Sequence, residues 1–293
     1  MHITLNAYAK INLYLDVVSR RANGYHDIKG IMQKVSLCDT VSLTLSPSGK
    51  NEIVISCSNP AIPTNEKNIA YKAADAFLSR FTDQAYKVEI AIEKRIPAAG
   101  GLAGGSTDAA AVLCGMRALL GIPKIKQELL ELGASLGADI PFCCSDGSMI
   151  TEGIGDILSP APSLSNSIVL ISNSGESVST PEAYKKLDEI YNCFSDTQFD
   201  ADRFDMLCKG LETNDTESVC KAMYNVFEDV VLKEKPKAAE AKKTMLSLGA
   251  VGAMMSGSGP TVFGIFKDKN AAKCAHKALI ELGCDTHICT PIN

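Results

Sequence analysis

A two-domain α+β fold is what this sequence predicts, and three observations predict it. The chain has 293 residues, long for a single compact core, so two domains are expected. Its N-terminal part is rich in period-2 apolar alternation, the mark of half-buried strands. Its C-terminal part alternates strand-like and helix-like segments in an order that resembles a split β-α-β fold. The seam falls at Pro160, Pro162 and the serine-rich stretch to Ser167, giving domains 1–160 and 161–293.

Each element follows from local pattern. From Ile3 to Val17 every odd position is apolar, and every even position from His2 to Asp16 is polar or a tyrosine. This predicts one strongly bent strand or two segments, with Lys10 and Asn12 on the face away from the core. Asn23-Gly24 offers a turn with positive φ. Further strands are expected at Val35–Leu45, Glu52–Cys57 and Lys87–Glu93. Asn68–Phe81 reads as a helix with Ala70, Ala73, Ala74 and Phe77 on one stripe. A helix opening at Ser106-Thr107 carries an apolar stripe to Leu120, stopped by Gly121 and Pro123. Another, near Gln127–Leu136, ends at Gly137 and delivers Asp139 into the turn before Pro141.

Beyond the seam a strand is expected at Ile168–Ser172, then helices near 181–190, 216–229 and 236–248. Strands near 251–256 and 261–267 bracket Ser256-Gly-Ser-Gly-Pro260. A helix near 269–282 and a strand near 285–290 complete the pattern.

Composition narrows the function classes. Apolar residues make up 46% and charged residues 22%, an ordinary globular balance that argues against long disorder. The net charge of −5 provides no basic field for a nucleic-acid backbone or an anionic membrane. An anionic ligand must therefore be held by local groups. No stretch approaches the ~18 apolar residues of a membrane span, and the N-terminus lacks a secretory pattern. Eleven cysteines without CxxC pairs fit reduced thiols in a cytoplasm. The cluster Cys274, His276, Cys284, His287 and Cys289 matches none of the usual zinc spacings.

The strongest chemical signal is Pro97–Asp108. A strand, then glycines at 100, 101, 104 and 105, then hydroxyls at a helix start, make an anion cradle. It contains neither the Gly-Lys-Ser/Thr of a Walker loop nor GxGxxG with a ribose-binding acid. The plainer reading is a loop kept small for close packing, which does not explain the hydroxyls. Lys10 alone is an ordinary surface lysine, and Asp139 alone a solvated residue or a cap. Together with the cradle they supply what phosphoryl transfer needs. Backbone donors hold a triphosphate, a cation sits near the transferred group, and a carboxylate orients the attacking hydroxyl.

Residues 97–110 and 256–263 resemble the second and third motifs of the GHMP kinase superfamily. The segments 9–15, 23–26 (Asn-Gly-Tyr-His) and 137–142 narrow the resemblance to the branch whose small-molecule substrate carries a cytidine diphosphate moiety. It spans nearly the whole chain in the same motif order and is weakest between Asn192 and Asn214. The resemblance implies an N-terminal ATP-binding domain like the second domain of ribosomal protein S5. It implies a C-terminal substrate-side domain of the split β-α-β, ferredoxin-like type. The implied reaction moves the ATP γ-phosphoryl group to the 2-hydroxyl of a methylerythritol moiety, in the non-mevalonate route to isoprenoid precursors.

The implied roles fall on matching positions. Asp139 accepts or orients the hydroxyl proton, and Lys10 holds that hydroxyl and the γ-phosphate. The ATP-phosphate loop comprises Pro97, Ala98, Ala99, Gly100, Gly101, Leu102, Ala103, Gly104, Gly105, Ser106 and Thr107, with Asn68 near the adenine. Tyr25 stacks on the cytosine and His26 hydrogen-bonds its edge. Asn12 lies beside them, and Tyr184, following Thr180, is the candidate second aromatic. Mg²⁺ is implied, bound mostly through nucleotide phosphates; the resemblance names no protein ligand for it, and the hydroxyls of Ser106 and Thr107 are the candidates. A monomer or weak homodimer is expected. Thr107 stands where serine is commoner and Asn23 where aspartate is, and both keep the needed chemistry.

Two rivals remain. Homoserine and mevalonate kinases of the same superfamily need no cytosine pocket, so Tyr25 and His26 separate them from the first reading. A non-catalytic nucleotide-binding regulator on the same fold is expected to lack Lys10 or Asp139.

Overall fold

The computed structural model describes residues 1–122, 126–194 and 199–293. Pro123, expected to help stop a helix, lies outside the described residues. The chain divides into two compact units. The first comprises Met1–Ala9, Leu37–Ala98 and Ala103–Asp146, and the second Lys10–Ser36, Ala99–Leu102 and Gly147–Asn293. Strands β1 (His2–Arg20) and β2 (His26–Pro47) contribute residues to both.

β1 is one continuous strand, and its odd residues from Ala7 to Val17 are buried as the alternation predicts. Its other face departs from expectation. Lys10, Asn12 and Tyr14 are buried too, so the polar face of mid-strand is covered rather than wet. β2 starts at His26 and not at Val35. From Gly30 to Val35 both faces are buried, which removes the alternation that marks a half-exposed strand.

In the first unit follow β3 (Glu52–Cys57), α1 (Ile69–Phe81), β4 (Tyr86–Glu93), α2 (Gly104–Leu119), α3 (Lys126–Leu136) and α4 (Ile140–Cys143). β2 pairs antiparallel with β4 from Thr40↔Glu93 to Pro47↔Tyr86, and β3 pairs parallel with β4. Asn68 caps α1, its Oδ1 accepting from the Ala70 amide at 2.8 Å. The helix buries Ala70, Ala73, Ala74 and Phe77, the stripe its spacing predicts. α2 lies so close on the strands that a Cβ at Gly115 would come 2.4 Å from Leu43 Cδ1.

In the second unit the expected seam is partly structure. β5 (Ser148–Glu152) pairs with β2 over Gly30–Gln33, and β6 (Ile157–Ala161) pairs with β5. Pro160 sits in β6 at the sheet edge, where a missing N–H is tolerated. The rest is β7 (Ile168–Asn173), α5 (Thr180–Ile190), α6 (Ala201–Glu212), α7 (Thr216–Ala222), β8 (Tyr224–Asn225), α8 (Glu228–Glu234), α9 (Pro236–Ser247), β9 (Gly252–Met255), β10 (Val262–Phe266), α10 (Lys269–Glu281) and β11 (Asp285–Cys289). A four-stranded antiparallel sheet in the order β11-β7-β10-β9 has the ferredoxin-like pattern expected from the element order.

Two helical expectations need correction. The span 216–229 is not one helix: Met223 leaves helical geometry, and Tyr224–Asn225 pair in parallel with Tyr14–Leu15 of β1. Asn225 is drawn out of helix because its buried side chain has backbone partners to serve. α6 was not foreseen, although Asp200 caps it and Phe204, Leu207 and Leu211 form its buried stripe.

Candidate active site

In the second unit, Lys10 and Asn12 share one face of β1 and touch. Lys10 Nζ donates to Asn12 Oδ1 at 2.7 Å. The same oxygen accepts the Gly257 amide at 3.0 Å. Lys10 is only 4% exposed, a costly place for an ammonium without polar partners. Its position is fixed by two glycine-rich stretches. The Lys10 amide donates to the Leu102 carbonyl, and Ser256 Oγ donates to the Gly101 carbonyl at 3.0 Å. A Cβ at Gly101, whose φ is +78°, would lie 2.2 Å from the Ser256 carbonyl oxygen. Only glycine allows that approach.

Asn225 sets the 256–260 loop from behind. Its Nδ2 donates to the carbonyls of Met255 and Gly257 at 2.7 and 2.9 Å, and its Oδ1 accepts the Phe227 amide. Sequence reasoning missed it by reading a helix there. Thr180 opens α5, and its Oγ1 is 2.7 Å from Ser258 Oγ.

A second cluster of this unit surrounds His26. The buried ring has Nε2 2.7 Å from Asp188 Oδ1. Tyr184 stacks on it with centroids 4.6 Å apart and planes 16° apart. Tyr25, next in the chain, is 60% exposed, a ring face open to solvent. Asp188 was not foreseen. The available signal was its place one helical turn after Tyr184 on α5.

In the first unit, the loop from Pro97 and Ala98 resumes at Ala103 and enters α2. Ala99, Gly101 and Ala103 all have positive φ. Left-handed backbone costs an alanine about 1–2 kcal/mol, so the curl at Ala99 and Ala103 is imposed by the surroundings. Alternation of this kind turns successive N–H groups toward one side. The helix starts at Gly104, two residues before the expected Ser106, and its N-cap Ala103 makes no side-chain cap. The hydroxyls are therefore not caps. Thr107 is buried, and its Oγ1 donates to the Tyr8 carbonyl at 2.8 Å, bracing helix to strand. Ser106 is half-buried. Asn68 uses both arms of its amide locally, Nδ2 donating to the Pro63 carbonyl and Oδ1 capping α1. Asp139 is half-buried at the start of α4, where its side chain makes no cap.

Around this loop lies an ion cluster that the sequence did not announce. Lys94 Nζ is 2.5 Å from Asp39 Oδ2 and 2.7 Å from Asp108 Oδ2, all three buried. Asp39 Oδ1 also accepts the amides of Arg95 and Ile96. Lys94 precedes the loop and Asp108 follows it, so their pair closes the loop at its neck. Burial pushes the Asp108 carboxyl up to about 7, against the pull of Lys94. Burial works to lower Lys94, but Asp108 and Asp39 outweigh it and its ammonium is raised.

Residues 68–147 match the GHMP kinases N-terminal domain and 207–283 the GHMP kinases C-terminal family. A protein of Alkaliphilus metalliredigens, 4-diphosphocytidyl-2-C-methyl-D-erythritol kinase, is 42% identical over 98% of this chain and 95% of its own length. The chain belongs to the 4-diphosphocytidyl-2-C-methyl-D-erythritol kinase family of GHMP kinases.

A second family member, from Lachnoclostridium phytofermentans, is 42% identical over 93% of this chain and 91% of its own. A crystal structure of 4-(cytidine 5'-diphospho)-2C-methyl-D-erythritol kinase superposes with TM-score 0.80 at 29% identity, covering 99% and 100% of the two chains. A homoserine kinase from Cytophaga hutchinsonii shares the fold at TM-score 0.76 and 20% identity, covering 100% and 95%. The GHMP kinase family is one of ATP-dependent small-molecule kinases. Among the described residues no helix is long and apolar enough to cross a membrane.

Proposed function

We propose that this chain transfers the γ-phosphoryl group of ATP to the 2-hydroxyl of 4-diphosphocytidyl-2-C-methyl-D-erythritol. The observation that carries this reading is the buried Lys10 ammonium, held by Asn12 beside Gly101 and Gly257. One of its three donors is taken by Asn12, and a phosphate or an alkoxide-like oxygen is what the others suit. Family members across nearly the whole chain length act on that substrate by name.

The residues divide the work as follows. Pro97–Thr107 cradles the triphosphate, the first-turn amides of α2 facing it without a side-chain cap to compete. Asn68 lines the adenine side through its backbone region, since its amide is engaged in capping. Asp139 orients the hydroxyl and takes its proton late, as a loose transition state allows a weak base to do. Lys10 offsets charge on the transferred group. Tyr25 supplies a stacking face for cytosine and His26 reads its edge. Tyr184 acts through His26 and the base, and Asn12 and Thr180 complete the substrate side.

Mg²⁺ would be held mainly by phosphate oxygens, as is usual for this ion, with the half-buried Ser106 hydroxyl the fitting protein donor. Thr107 fits less well, since its hydroxyl braces Tyr8. When bound, the ion neutralises charge on the β- and γ-phosphates.

The test is a coupled ADP-release assay with ATP and Mg²⁺ on the cytidylyl substrate, with homoserine and mevalonate as controls. Turnover confined to the cytidylyl substrate is expected. Turnover only with a control would remove the cytosine pocket, and none with any substrate would favour a regulator.

A further inference from the structure

His26 is held more tightly than base recognition by a ring alone requires. Its Nε2 lies 2.7 Å from Asp188 Oδ1. The other oxygen of Asp188, Oδ2, lies 3.3 Å from Arg20 Nε. Tyr184 covers one face of the ring, and Phe194 meets it edge-on at 5.9 Å and 78°. The imidazole cannot turn over without breaking these contacts.

The carboxylate faces two N–H donors, so each of its oxygens accepts. The Nε2 proton therefore points at Asp188. In a neutral imidazole the other nitrogen, Nδ1, is then the acceptor. Cytosine presents an amino group at C4, a donor, where uracil presents a carbonyl, an acceptor. An acceptor aimed at that edge pairs with the first and opposes the second.

We infer that Asp188 is a specificity-determining positioning residue: it fixes His26 in the Nε2–H tautomer and so selects cytidine over uridine diphosphate substrates. The inference rests on the reading of His26 as the residue that meets the base. Asp188 gives one oxygen to the His26 ring and the other to Arg20. Its action is entirely through the ring, as an outer partner sets the tautomer of a metal-bound histidine.

Substitution by asparagine separates this from a packing role. An amide can turn its NH₂ toward Nε2, which would release the opposite tautomer and make Nδ1 a donor. The experiment measures binding of CDP and UDP by titration calorimetry to the full chain and to Asp188→Asn. Long-range ¹H–¹⁵N spectra of the imidazoles accompany it, with His26→Gln assigning the signal among four histidines.

The expected result is a CDP preference of ~10-fold or more in the parent chain, falling toward unity in Asp188→Asn. The His26 spectrum should show the Nε2–H tautomer in the parent. A preference unchanged in Asp188→Asn would overturn the inference, and so would an Nδ1–H tautomer in the parent, which needs no variant to fold. CDP preference without kinase turnover would sink the kinase reading and leave this one standing. Turnover with an unchanged CDP-to-UDP ratio would do the reverse.

Discussion

In their proposed roles, the loop at 97–107 and the side-chain cluster around His26 solve recognition in opposite ways. The loop uses backbone: glycines at 100, 101, 104 and 105, forced left-handed turns at Ala99 and Ala103, and the bare start of α2. A device made of consecutive amides is by construction contiguous in the chain. The His26 cluster uses side chains from separate places: Arg20, His26, Tyr184, Asp188 and Phe194. Nothing requires those residues to be close in sequence. Backbone sites are therefore readable as motifs, while side-chain sites become visible once the strands and helices are placed.

The loop has a side-chain part as well, and it is the part most exposed to a single change. Lys94→Met would leave Asp39 and Asp108 buried together without their cation. Removing one partner of a buried pair costs about 3–5 kcal/mol. Chemical denaturation should show a loss of that size, and the freed loop should raise KM for ATP more than it lowers kcat. A loss below about 1 kcal/mol would mean that the neck of the loop is held by packing alone.

A smaller effect comes from Asp16, farther along the strand face that carries Lys10. Burial pushes its carboxyl up to about 6, helped by Asp200 and Asp229 and opposed by the Val17 amide and Arg203. The folded value lies above the ordinary one of 3.8, so the native state keeps a proton that the unfolded chain has released. Stability from this group is full below about pH 4 and falls as pH rises through 6. Asp16→Asn should thus be more stable than the parent at pH 8, by up to roughly 3 kcal/mol. The advantage should vanish near pH 4, as denaturant midpoints at the two pH values would show. The smallest effect expected is the ~10-fold nucleotide preference set by Asp188.

Much of the fold was legible because its patterns are one-sided. The odd face of β1, the stripe of α1 and the ferredoxin-like order of the last sheet all followed from periodicity. What escaped was two-sided or interrupted. Gly30–Val35 is buried on both faces, Tyr224–Asn225 breaks a helical pattern to pair with β1, and Pro160 marks an edge strand rather than a linker. In the candidate site, the glycine loops and Lys10 stood out as types in sequence. The burial of Lys10 did not, because it depends on Asn12 meeting Gly257 from 245 residues away. Thr107 stands at a helix start as part of the expected phosphate loop, yet its hydroxyl braces the Tyr8 carbonyl, a use that sequence does not distinguish from ligand binding.

The measurement that tests the account most directly is turnover by Asp139→Asn, with ATP binding followed in parallel. A carboxylate that orients the hydroxyl and takes its proton should cost ~10²–10⁴-fold in kcat when replaced by an amide, while ATP affinity stays near that of the parent. Near-normal turnover in Asp139→Asn would contradict the assignment of roles on which the proposed reaction rests.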